Sequence, residues 1–220
     1  MSSLRKEIEQ VDAILHYARH PVLRQHLTTL GCDSAHVQEG QFLLNRLRCL
    51  HRAQQVSYQS KQQANQRQHA CEQEVHRHFV KHRALAKEIC RHDPAECQRL
   101  RLHLPLATRK AARLAQMISF YHEALNAPQV FSQYGLPPAA LQQAQALTAS
   151  LHSARCARRQ KAKEARDATQ KRDEVRHDLH AWATSFRAAA RAALRPDQSP
   201  PATNDPINDC VAMVERILFQ

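Results

Sequence analysis

From Ser34 to about Arg91, and again from Pro138 to about Leu194, the chain has no internal proline and only one glycine, Gly40. A polypeptide without turn residues over such a length has little alternative to helix, and unbroken each stretch would span roughly 80 Å. Helices that long usually bury a narrow seam against another helix, as in a coiled-coil hairpin. In the second stretch Leu147, Ala154, Ala168, Val175, Trp182 and Ala189 recur every seven or fourteen residues, with Leu151, Ala165, Leu179, Phe186 and Ala193 beside them. The first stretch repeats this with Leu43, Leu50, Ala64, Cys71, His78 and Leu85, flanked by Leu47, Val75 and Ile89. Both seams turn polar at mid-length: Gln54, Ser57, Lys61 and Gln68 in one, Arg158, Lys161 and Arg172 in the other. The absence of turn residues there favours a protruding two-helix stalk over a break and fold-back.

The two stretches belong to a duplication. Sliding Gly31–Asp93 onto Gly135–Asp197 without a gap gives 15 identities in 63 columns, among them Leu43/Leu147, Leu47/Leu151, His76/His180, Arg83/Arg187 and Asp93/Asp197. Each copy is expected to hold three elements. An amphipathic first helix runs from Leu4 to Arg19, with Leu4, Ile8, Val11, Leu15 and Ala18 inward. Its counterpart runs from about Thr108 to Asn126, with Ala111, Leu114, Ile118, Tyr121 and Leu125 inward. A short proline-opened helix follows, Pro21 to Leu30 or Pro128 to Tyr134, ended by Gly31 or Gly135. The long helix completes the unit.

The fold expected is therefore all-α: an elongated helical bundle of two tandem repeats, residues 1–104 and 105–195, with units related by a pseudo-twofold. Asp93-Pro94 stops the first long helix. A Pro-rich linker at 196–205 precedes a C-terminal amphipathic helix at 206–220 carrying Ile207, Val211, Val214 and Leu218. With aromatics at 5% of the chain, the helix interfaces must rest largely on Leu and Ala.

The formal charge of +12 suits polyanions in general and does not choose among nucleic acid, anionic lipid and an acidic protein. Seven cysteines without a recurring short spacing, no apolar leader and no run long enough to span a membrane point to a cytoplasmic protein with reduced thiols. No phosphate loop, nucleophile elbow, HExxH or CxxC is present, so neither an enzyme nor a cofactor is expected.

Three constellations could carry function. Glu74, His78 and His82 share one helical row, a metal-ligand spacing, with Cys71 on the same side; the duplication aligns the two histidines with Trp182 and Phe186, which favours packing over ligation. Glu74-Val75-His76 and Asp178-Leu179-His180 repeat an acid, apolar, His triplet whose histidine is expected on the outer surface; residues two apart on a helix do not face one another, so it is no acid–base dyad. The segment Arg155–Arg176 holds nine Lys/Arg against four Asp/Glu. There Arg155, Arg158, Arg159, Lys161, Lys163 and Arg166 form the candidate contact set for a partner or polyanion, although the i, i+4 charge pattern also suits a solvated helix. Cys90 and Cys97 flank the Asp93-Pro94 break without forming a redox motif.

The string Ala168–Leu194, with Ala168, Thr169, Arg172, Asp173, Leu179, Trp182, Phe186, Arg187, Arg191 and Leu194, resembles a unit of uncharacterised bacterial all-helical tandem-repeat proteins. The resemblance covers most of the second copy and implies a helical repeat, with no activity or ligand attached. The first copy departs from it at Asn65, Gln68, His69, His78 and His82. The functional expectation is a non-enzymatic scaffold or adaptor that binds a protein partner or itself. Nucleic-acid binding through the basic long helices is the second reading, and His/Cys-based metal or haem binding the third.

Overall fold

The computed structural model describes residues 3–19, 24, 27–28 and 32–194, and among them the chain is all-α, with no strand. The helices are α1 (Ser3–Ala18), α2 (Ser34–Ile89), α3 (Pro94–Arg99), α4 (Lys110–Asn126), α5 (Pro128–Ser132) and α6 (Pro138–Leu194). A 3-10 turn, Cys90–His92, lies between α2 and α3. Both long helices run through their polar middles as α-helix. Most of the expected Pro21–Leu30 helix, Gly31, the linker at 196–205 and the C-terminal helix at 206–220 lie outside the described residues. No described helix is long and apolar enough to cross a membrane.

Helix ends follow local chemistry. Asp33 accepts the His36 N–H at 2.9 Å and so caps α2. Asp93 caps α3 by accepting the Glu96 N–H at 3.1 Å, with Pro94 in the first turn, where its missing N–H costs nothing. After α5, Gly135 takes φ +78°, and the Leu136 N–H reaches the Phe131 carbonyl at 3.1 Å in a Schellman closure. Arg101 does the same after α3 at φ 54°, with the Leu102 N–H on the Cys97 carbonyl at 2.9 Å.

In space the chain divides differently from the expected repeats 1–104 and 105–195. One compact unit falls within Met1–Val56 and Arg166–Gln220; the other is Ser57–Ala165. Each therefore takes one half of α2 and one half of α6. In unit 1, α1 packs against Leu44 and Leu47 of α2 and against Val175, Leu179, Trp182 and Phe186 of α6. There the long helices run antiparallel, since Trp182 meets residue 36 while Gln54 meets residues 169 and 172. In unit 2, α4 and α5 pack against Val75, Phe79 and Ala86 of α2 and against Leu141, Ala144 and Leu151 of α6.

This three-element packing corrects the expected faces. A two-helix seam would centre on Leu43, Leu50, Cys71, His78 and Leu85, yet these are only half-buried. Leu44, Phe79 and Ala86 are buried instead, while Leu47 and Val75 of α2 and Leu151, Ala165, Val175, Leu179, Trp182 and Phe186 of α6 are buried as expected. Each helix half touches a first helix as well as the other long helix, so its buried arc is wider than a heptad stripe and centred elsewhere. On α4 the inward face is Leu114, Met117, Phe120, Tyr121 and Ala124; Ala111 is exposed and Ile118 is 45% exposed.

Two buried polar side chains hold specific partners, whereas Gln68 Oε1 is buried without one among the described residues. Gln54 donates to the Thr169 hydroxyl at 3.2 Å and accepts from Arg172 Nη1 at 2.7 Å, which makes it a specific register mark in unit 1. In unit 2 the buried Arg83 guanidinium donates to the carbonyls of Leu102 and Leu104 and so ties down the chain between α3 and α4.

Candidate functional site

A groove between the first helix and the long-helix wall occurs in each unit. In unit 1 it is lined by Lys6, Gln10 and Val11 of α1 and by Arg176, His180 and Arg187 of α6, and its volume is about 590 Å3. Glu7 accepts from Arg176 Nε at 2.6 Å across it. In unit 2 the groove is smaller, about 240 Å3, and its lining includes His76 and Glu72 of α2, Lys110 and Arg113 of α4, and Arg155 of α6.

The two grooves differ in charge. In unit 2 the Glu72 carboxylate sits between cations, with Oε2 at 3.1 Å from Lys110 Nζ and Oε1 at 3.3 Å from Arg155 Nη2. Burial pushes this carboxyl up, but the hydrogen bonds and charges of Lys110 and Arg155 outweigh it and hold the group below the usual carboxylate range. In unit 1 the only carboxylate lining the groove among the described residues is Glu7, which is bound to Arg176. Arg187 Nε is buried there without a hydrogen-bond partner.

The repeated histidines both line grooves. His180 is exposed at the unit 1 groove, whereas His76 is half-buried in unit 2 with Nδ1 shielded and unpartnered. Glu74 is exposed and lines neither groove. Spacing alone does not single out the groove residues Lys6, Glu7, Arg176 and Arg187, because α1 and α6 lie about 170 residues apart in sequence. The retained Arg83/Arg187 and His76/His180 pairs are the signal that the sequence does carry.

Of the basic set on α6, Arg155 is committed within the fold to Glu72 and to the Lys110 carbonyl at 3.0 Å. Lys161 pairs with Glu164 at 2.7 Å. Arg158, Arg159 and Lys163 in unit 2, and Arg166 in unit 1, are exposed and make no ion pair among the described residues.

Glu74, His78 and His82 stay on one helix but do not converge. His82 is buried and its Nδ1 shares a hydrogen bond of 3.3 Å with the Tyr121 hydroxyl, while His78 stands edge-on to it at 5.7 Å between ring centroids. Burial raises the Tyr121 phenol well above its ordinary value, so the hydroxyl keeps its proton. Among the described residues no three His, Cys, Asp or Glu side chains are grouped to hold a metal ion. Cys90 is buried and Cys97 half-buried, both as free thiols, and burial raises the Cys90 pKa.

Burial, followed by the charges of His78 and Lys81, lowers the His82 pKa below its ordinary 6.5. The unfolded chain therefore binds this proton more readily than the folded one. Stability is fully present above about pH 6.5 and falls as pH drops from there toward the lowered folded value. The expected result is a smaller acid-side loss in His82→Phe than in the parent chain, read as the difference in urea midpoint between pH 7.5 and 5.5. Equal losses in the two proteins would refute this account of His82.

Comparison with known protein families, curated proteins and solved structures finds no match.

Proposed function

We propose that the chain is a non-enzymatic helical scaffold, built from two sequence repeats and presenting a basic helix face to an acidic protein partner. The observation that carries the partner reading is the set Arg158, Arg159 and Lys163: exposed, close together on one helix, and unpaired, while neighbouring Arg155 and Lys161 hold carboxylates of this chain. Cations kept free beside cations that are used supply electrostatic complementarity to an acidic surface.

The repeat reading is supported by burial at the 104-residue spacing. Leu44/Thr148, Leu47/Leu151, Val75/Leu179, Phe79/Ala183, His82/Phe186 and Ala86/Ala190 are buried pairwise. The i−5 closures from Cys32 to Leu27 and from Leu136 to Phe131 correspond in the same way. Arg176 and Glu72 also stand at this spacing, and each makes an ion pair, of opposite polarity, with Glu7 of α1 and Lys110 of α4 respectively. The likeness to uncharacterised bacterial helical repeats belongs to this same proposal.

The test is capture from nuclease-treated extract with the tagged chain, beside the R158E/R159E/K163E variant. The expected result is an acidic protein retained by the parent and lost, at least tenfold, by a variant with an unchanged thermal melt. Binding of labelled duplex or single-stranded nucleic acid that falls steeply with salt, with no protein retained, would replace this reading by the polyanion one.

A further inference from the structure

The unit 1 groove is built as an anion site. Among the described residues three cations line it, Lys6, Arg176 and Arg187, and the only carboxylate is the Glu7 bound to Arg176. The local formal balance is thus about two positive charges in excess, before His180 is considered. Arg187 is the decisive residue. Its Nε–H is buried and unpartnered among the described residues, and a buried unmade donor on a charged group is costly. The half-buried Arg187 side chain lines the groove and makes no hydrogen bond or ion pair among the described residues, which leaves it available to an anion there.

Unit 2 shows what the same kind of groove does with its cations. There Glu72 inserts an internal carboxylate between Lys110 and Arg155, and the groove is less than half the volume. Arg83, the residue 104 before Arg187, spends its guanidinium on the carbonyls of Leu102 and Leu104. Among the described residues Arg187 Nε has neither kind of acceptor.

We propose that the groove formed by Lys6, Gln10, Arg176, His180 and Arg187 binds a phosphate monoester dianion. A dianion matches the excess charge better than a single carboxylate. The guanidinium of Arg187 offers fork geometry to phosphate oxygens, while the Gln10 amide and the His180 ring add further donors. About 590 Å3 leaves space for an organic group beside the phosphate, over Val11 and Ala183. This site is separate from the α6 partner face and does not rest on it.

The phosphate could arrive on a free small molecule or on a phosphorylated side chain, and calorimetric titration of the full chain with three probes separates these sources. The probes are inorganic phosphate, adenosine monophosphate and a phosphoserine peptide, each at fixed ionic strength with its unphosphorylated counterpart where one exists. We expect a Kd on the order of 1 mM or tighter for at least one phosphorylated organic probe. The probe that binds at least tenfold tighter than inorganic phosphate identifies the source. Arg187→Gln should weaken binding at least tenfold. Lys6→Gln, at an exposed position that does not threaten folding, should weaken it about three- to tenfold, and R158Q/K163Q should leave it unchanged. No binding of any probe to the parent chain, or binding indifferent to both Arg187→Gln and Lys6→Gln, would overturn the proposal.

Discussion

Gly40→Ala is expected to destabilise unit 1 by about 2 kcal/mol, although alanine is the better helix former. A Cβ at this position would lie 2.2, 2.4 and 2.6 Å from three atoms of the Trp182 indole. The ring has little freedom to withdraw. Its Nε1 donates to the His36 carbonyl at 3.0 Å, and it stacks on Phe186 at 5.3 Å between centroids. Overpacking of this kind costs about 3 kcal/mol, which the gain of about 1 kcal/mol in helix propensity only partly offsets. The penalty is specific to the indole. At the positions 104 residues away the chain holds Ala144 and His78, a larger helix residue and a smaller ring. In a Trp182→His background, Gly40→Ala should therefore become neutral or stabilising by up to about 1 kcal/mol, even though Trp182→His is itself costly. Urea unfolding followed by circular dichroism of the four proteins closes this cycle. Equal effects of Gly40→Ala in both backgrounds would exclude Trp182 as the reason for the glycine.

Gly40 also shows where sequence reasoning stops. A lone glycine in a helical stretch reads as an interruption, whereas here it lies within unbroken α2 and seats an aromatic ring from α6. The class, the extent of both long helices, the Asp93-Pro94 stop and the closing role of Gly135 are legible, because proline, glycine and capping residues act within a few positions of themselves. The faces are less legible. Heptad spacing gives a period but not how many partners a helix has, so it passes over Phe79 and Leu44, and a single-face reading of α4 turns Ile118 inward. The candidate site is least legible. Arg155 reads as one cation among nine until Glu72, 83 residues away, is seen beside it. Lys6 and Arg187 have no local pattern at all; only the packing of α1 on α6 brings them to one groove.

The largest effect expected is on fragments. If each unit is completed by halves of both long helices, neither sequence repeat holds a core of its own. Residues 1–104 lack Val175, Leu179, Trp182 and Phe186 from the unit 1 cluster, and Leu114, Tyr121, Phe131 and Leu151 from the unit 2 cluster. Four such side chains contribute about 1.5–3 kcal/mol each on burial, together about 6–12 kcal/mol, which matches the whole stability of an ordinary domain. The direct measurement is thermal unfolding of residues 1–104, residues 105–220 and their equimolar mixture, with the molar mass of each sample determined in parallel. The interleaved arrangement predicts no cooperative transition in either fragment as a monomer, and recovery of one in a 1:1 complex. A monomeric 1–104 fragment that melts cooperatively near the Tm of the intact chain would contradict it.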